Sequence, residues 1–206
     1  NPREEETESK FPEIVKNIAI IYKQLGQNDM ALAAIETARA SNPEDVGLII
    51  TAANIYFELD DKEAFKLAMS EAIDKEPNNP ILYYNLGVVS GELGEKESAR
   101  TYYEKSIELD PTNENSYLNL VALILDAEQE IVNEMNSLGT SKSDNERYDE
   151  LKITREELYK ECVPILKDLI AISKDIEAIR TLMNIYGTLG DNTGYMEMKN
   201  LLDQLQ

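Results

Sequence analysis

Asn17, Thr51, Asn85 and Asn119 follow one another at a fixed interval of 34 residues. Three of the four are amides, and a side chain with both a donor and an acceptor can pair with the main chain of an extended ligand without reading its sequence. Asn54 and Asn115 add to the row. Large or apolar residues are interleaved with it: Ile20, Ile50, Phe57, Ile81, Tyr84, Val88, Leu118, Ala122 and Leu125. An exposed apolar patch of this kind marks an interaction site. The basic members of the row are Lys16 and Lys23. Two structural explanations compete with binding: the amides bond neighbours or water, and curvature of the chain buries several of the apolar residues.

No other grouping reaches reaction chemistry. There is no histidine, which removes the usual general base and the commonest metal ligand. The single cysteine, Cys162, excludes disulfide frameworks and thiolate zinc sites, and its apolar row makes it a buried structural thiol. Asp144, Glu146, Asp149 and Glu150 lack the alternation and central glycine of a calcium loop. The run Gly91–Gly94 lacks the Gly-Lys-Ser/Thr ending of a phosphate loop. With no base, nucleophile and oxyanion donor converging, the expectation is a non-enzymatic protein with no cofactor and no metal.

Charge narrows the partners. Forty acidic residues against twenty basic ones leave a net charge of −20, which disfavours nucleic acid and anionic membrane surfaces. No run approaches the roughly 18 apolar residues of a membrane span. A protein or peptide partner, neutral or basic, is expected. The chain opens on Asn1-Pro2-Arg3 with no initiator methionine, as expected of a processed or excised piece. Residues 1–11, with Glu4, Glu5, Glu6 and Glu8, are expected to be an acidic flexible segment.

The elements behind these residues follow from the same period. Pro43, Pro77 and Pro111 are 34 residues apart, and so are Val15, Ile49, Tyr83 and Tyr117. Ile18, Ala52, Leu86 and Leu120 form another column, followed by the small residues Ala19, Ala53 and Gly87. Then come Leu25, Leu59 and Leu93 and the turn residues Gly26, Asp60 and Gly94. Apolar positions three and four apart give each helix one buried face. Glycine supplies positive φ where the first helix ends, and proline stops the second.

In these columns the chain resembles the tetratricopeptide repeat (TPR), with Tyr83-x-x-Leu86-Gly87, Ala99-x-x-x-Tyr103 and Pro111 as the closest unit. The resemblance implies an all-α, right-handed α-solenoid of about five helical hairpins, with units at 12–45, 46–79 and 80–113. It also implies that the first helices line a concave, peptide-binding groove. The groove would hold Lys16, Asn17, Ile20, Ile50, Thr51, Asn54, Phe57, Ile81, Tyr84, Asn85, Val88, Asn115, Leu118, Asn119 and Ala122. Too few cations stand there for the clamp with which some TPR domains hold acidic tails. Phe65 replaces a small residue and should splay or repack its hairpin, and Ser90 replaces a tyrosine.

Beyond residue 113 the period loosens. A unit opens with Tyr117, Leu120 and Ile124, but the turn expected near 127 is missing. The reading is an enlarged hairpin over 114–175 whose second helix spans about 148–173. Its arms are zipped by Tyr148, Leu151, Leu158, Cys162, Ile165 and Leu169, a row broken only by Arg155. The tip at 138–147 is expected to be mobile. A terminal unit, 176–206, ends in a capping helix. This half is similar to the tail of TPR proteins common in Bacteroidetes, through its Lys142-Ser143-Asp144 loop and its Gly190-Asp191…Tyr195…Met198-Lys199 helix. That similarity implies a secreted or cell-envelope setting, with a cytoplasmic one left open. The alternative function is a structural module that pairs with another copy, a homo-oligomer, or packs against flanking repeats.

Overall fold

The computed structural model describes residues 2–205, with side chains described for 12–205. Among the described residues there are ten α-helices and no strand. In chain order they are α1 (Pro2–Gln24), α2 (Asn28–Ser41), α3 (Val46–Glu58), α4 (Lys62–Lys75) and α5 (Pro80–Glu92). They continue with α6 (Lys96–Leu109), α7 (Glu114–Ser137), α8 (Lys142–Ser173), α9 (Ile176–Leu189) and α10 (Asn192–Leu205). The chain is therefore all-α, a succession of helical hairpins. It divides into two compact units, one up to Tyr102 and one from Tyr103 onward, within α6. Helix α1 starts at Pro2, so residue 12 is not a helix end, and the flexibility expected of 1–11 concerns side chains outside the described set.

In the first unit the turns explain themselves residue by residue. Gly26, Asp60 and Gly94 have φ of 72°, 57° and 77°, the left-handed conformation that ends a first helix and reverses the chain. The next helix is then caught by a cap. The Asp45 carboxylate accepts from the Leu48 amide at 3.1 Å, and the Asp61 carboxylate accepts from the Ala64 amide at 3.0 Å. Asn79 caps α5, with Pro80 at its first turn where no amide donor is needed.

Two apolar clusters fill this unit. Val15, Ala19, Ala31, Ile35, Ala38, Leu48, Ala52 and Ile55 bring α1, α2 and α3 together. Ile49, Ala53, Phe65, Met69, Leu82, Leu86 and Val89 do the same for α3, α4 and α5. Each fully buried Ile or Leu is worth about 1.5–3 kcal/mol over leaving it in water. The column led by Ile18 divides: Ala52 and Leu86 are buried, whereas Ile18 is 41% exposed because no described helix covers that side of α1. Phe65 does not stand out from its hairpin either. It is buried, with its ring tilted against Phe57 at 5.7 Å between centroids. Ion pairs join neighbouring repeats on the surface, among them Lys75–Glu44 at 2.7 Å and Lys66–Glu95 at 2.6 Å.

The second unit begins in α6 and holds the enlarged hairpin. The residue one period after Gly94 is Glu128, which has no reason to take positive φ, and α7 passes through it to Ser137. The chain then turns within four residues, not ten. Ser141 accepts from the Asp144 amide while the Asp144 carboxylate accepts from the Ser141 amide, a reciprocal cap that starts α8 at Lys142. The expected tip of 138–147 is corrected accordingly, since 142–147 are helical.

The zipper is also corrected by one residue. The buried members of α8 are Leu151, Tyr159, Cys162, Leu166 and Leu169, while Leu158 and Ile165 are only half-buried and Tyr148 is 45% exposed. Arg155 is a rung of this seam and does not break it. Its guanidinium donates to Glu128 at 2.7 Å and to the Tyr159 hydroxyl at 2.8 Å, and the Tyr159 hydroxyl donates to the same carboxylate. Helix α9 packs on α8, and α10 on α9, around Ile179, Leu182, Ile185 and Met198.

Candidate functional site

In the first unit the row of candidate residues converges on two neighbouring cavities that share Asn54. One, of about 240 Å³, is lined by Asn54, Phe57, Phe65, Tyr84, Asn85, Val88 and Val89. The other, of about 230 Å³, is lined by Ala19, Ile20, Lys23, Thr51, Asn54 and Ile55. Both open along the first helices α1, α3 and α5, whose opposite faces are fixed in the clusters described above. Helical periodicity sets the arrangement, because Asn54 and Phe57 lie three apart on α3, as do Asn85 and Val88 on α5.

The chemistry of the lining is uneven. The amides of Asn54 and Asn85 hydrogen-bond no other described residue, so their donors and acceptors face the cavities unspent. Thr51 is different, since its hydroxyl donates back to the Gly47 carbonyl at 2.6 Å. Phe57 is 44% exposed over a floor of buried Phe65 and Val89. The first cavity is thus an apolar well with an amide on each of two facing helices.

The cations of this face are already engaged. Lys23 pairs with Glu58 at 2.7 Å. Lys16 reaches Glu13 at 2.8 Å and, at the N-cap of α3, Asp45 at 3.3 Å. Partial burial pulls the Lys16 ammonium down, but the hydrogen bonds to Glu13 and Asp45 outweigh it and hold its pKa above the ordinary lysine value. Gly47 makes this crossing possible, because a Cβ there would stand 2.6 Å from the Lys16 Nζ. A lysine so bound has little left to offer a carboxylate ligand.

Lys16, Asn17, Ile50 and Ile81 line neither cavity. Asn17 and Ile81 are exposed, Ile81 to 60%, and Lys16 and Ile50 are half-buried. Asn115, Leu118, Asn119 and Ala122 fall on α7 in the second unit. Leu118 is 38% exposed there, and Asn119 is half-buried and already engaged within the chain. Four lining residues were missed from sequence, Phe65 and Val89 in the first cavity and Ala19 and Ile55 in the second. Phe65 carried a signal: it stands between Ala31 and Ala99 in a column of small residues. Among the described residues no group of His, Cys, Asp or Glu is placed to hold a metal ion, and no helix is long and apolar enough to cross a membrane.

A family model of the tetratricopeptide repeat matches residues 17–45 and 81–113. Among solved structures, MamA protein is similar with a TM-score of 0.64 and 14% identity, covering 94% of this chain and 91% of that one. YrrB, described as a TPR protein with an unusual peptide-binding site, is similar with a TM-score of 0.61 and 15% identity, over 93% and 84% of the two chains. A protein from Bacteroides ovatus ATCC 8483 gives 0.59 and 20% identity, over 87% and 98%. At these identities the likeness is one of fold. No curated protein matches the chain in sequence.

Proposed function

Because this chain is a tetratricopeptide-repeat protein, we propose that it is a non-enzymatic scaffold holding a protein or peptide segment along the first helices of its repeats. The observation that carries this is the pair of unspent amides, Asn54 and Asn85, beside the apolar well of Phe57, Phe65, Tyr84 and Val88. Apolar contact would supply affinity and the amides would orient the ligand main chain. A solved structure of the same fold described as having a peptide-binding site, that of YrrB, supports this reading. The row Asn115, Leu118, Asn119 and Ala122 on α7 stands one period further on, in the second unit, and is not part of these two cavities.

Ligand charge follows from the field of the protein. With a net charge of −20 and with Lys16 and Lys23 paired to carboxylates, the surface favours neutral or basic segments. Three labelled peptides that alternate leucine or phenylalanine with lysine, asparagine or glutamate test this. Fluorescence titration should rank the lysine peptide first and the glutamate peptide last, and added salt should weaken only the lysine peptide. Tightest binding of the glutamate peptide would contradict the proposal.

A further inference from the structure

Helix α1 carries a second apolar surface, apart from the cavities. Ile14, Ile18 and Ile21 are spaced four and three residues, so they form one stripe along the helix, and Leu25 prolongs it in the turn just after Gln24. They are 53%, 41%, 55% and 65% exposed. One period later the counterparts of the three isoleucines on α3 are Leu48, Ala52 and Ile55, exposed to 0%, 0% and 1% under α2, while Leu59, the counterpart of Leu25, stays 40% exposed. Two periods later they are Leu82, Leu86 and Val89 on α5, exposed to 1%, 1% and 0% under α4, with Leu93 36% exposed. These repeats show what the stripe is shaped to accept: another helix laid along it.

We propose that α1 pairs with α1 of a second copy of this chain through Ile14, Ile18, Ile21 and Leu25. Among the described helices the other candidates are spent. Helices α2 and α4 already cover α3 and α5, and α10 turns outward a face that includes the exposed Lys199, Asn200 and Asp203. The stripe is self-complementary, since antiparallel pairing about a twofold axis sets Ile18 against Ile21 and Ile14 against Leu25 of the partner copy. Its flank also permits approach: Asn17 and Gln24 are uncharged, and Glu13 and Lys23 are neutralised by Lys16 and Glu58 within each copy. Two chains of charge −20 still repel at long range, so the pairing should tighten as salt rises, opposite to the binding of a basic peptide.

The test is sedimentation equilibrium of the full chain over a wide concentration series at low and high salt. Parent protein and Asn54→Ala/Asn85→Ala should both move from monomer to dimer mass, more readily at high salt. Ile18→Glu/Ile21→Glu should shift the midpoint at least about tenfold upward. Both positions are exposed, so its circular dichroism and thermal midpoint should stay those of the parent. A parent that stays monomeric throughout, or a glutamate variant that dimerises like the parent, overturns the pairing. Loss of the dimer in the asparagine variant alone would overturn it too, placing the contact in the cavities; failure of peptide binding leaves it untouched.

Discussion

Gly94 and Glu128 hold the same place in successive repeats, and the chain does opposite things at them. At Gly94 the backbone takes φ of 77° and the helix ends, while at Glu128 the helix continues for two and a half more turns. One residue able to adopt positive φ decides whether a hairpin is short or long. The difference also changes what holds the hairpin. The short repeats rest on small-residue packing such as Ala19, Ala31 and Ala53, fully buried. The long one has a seam of its own, with the Glu128 carboxylate, the Arg155 guanidinium and the Tyr159 hydroxyl as its polar rung.

The seam gives the largest expected effect. Leu166→Ala removes a fully buried side chain and should lower stability by about 2–5 kcal/mol, whereas Leu158→Ala, one residue from the seam, should cost less than about 1.5 kcal/mol. Urea melts of the two variants check the register, and a reversed order would show the zipper set one residue off. Next is the rung. Glu128→Ala leaves Arg155 and the Tyr159 hydroxyl without their shared acceptor and should cost about 1–3 kcal/mol by the same melts. A change within error would make the rung ornamental.

Gly94→Ala should cost about 1–2 kcal/mol, because alanine must take a left-handed conformation with no contact to relieve it. Gly139 has no positive φ, but a Cβ there would stand 2.8 Å from the Asp144 carboxylate that caps α8, so its reason for being glycine is space and not turn strain. The smallest effect concerns pH. Burial, reinforced by the Glu128 carboxylate, raises the pKa of Tyr159. The folded state therefore holds this proton more tightly than the unfolded chain. The stability it gives is complete below the unfolded tyrosine value of about 10 and is lost as pH rises through the folded one. Thermal midpoints of Tyr159→Phe should accordingly fall less than those of the parent above that pH. Parallel curves would show the hydroxyl uncoupled from folding.

The repeat was legible because its signal is local: columns of small, apolar and turn residues at one interval fix where helices start, stop and touch. The seam of α8 was misread because Leu158 and Tyr159, and Ile165 and Leu166, are adjacent apolar pairs, and three-four spacing accommodates either member. Choosing between them needs Arg155, whose partner Glu128 is 27 residues away and invisible to periodicity. The early start of α8 was available in the sequence, since Ser141-x-x-Asp144 is a capping pattern. The cavities were less legible. Residue type suggested Asn54 and Asn85, but the part played by Phe65 and Val89 depends on which side chains the packing leaves facing outward.

The central claim is that the first helices α1, α3 and α5 form the working surface, and one titration tests it most directly. The lysine–leucine peptide is titrated into the parent, Asn54→Ala/Asn85→Ala, Phe57→Ala, and Tyr148→Ala on the enlarged hairpin, with thermal melts in parallel. At about 1 kcal/mol for each lost hydrogen bond, the double asparagine variant should bind about tenfold or more weakly with an unchanged melt. Phe57→Ala should weaken binding at least as much, and Tyr148→Ala should bind like the parent. Unchanged binding by the first two together with loss in Tyr148→Ala would contradict the account and move the working surface to the α7–α8 hairpin.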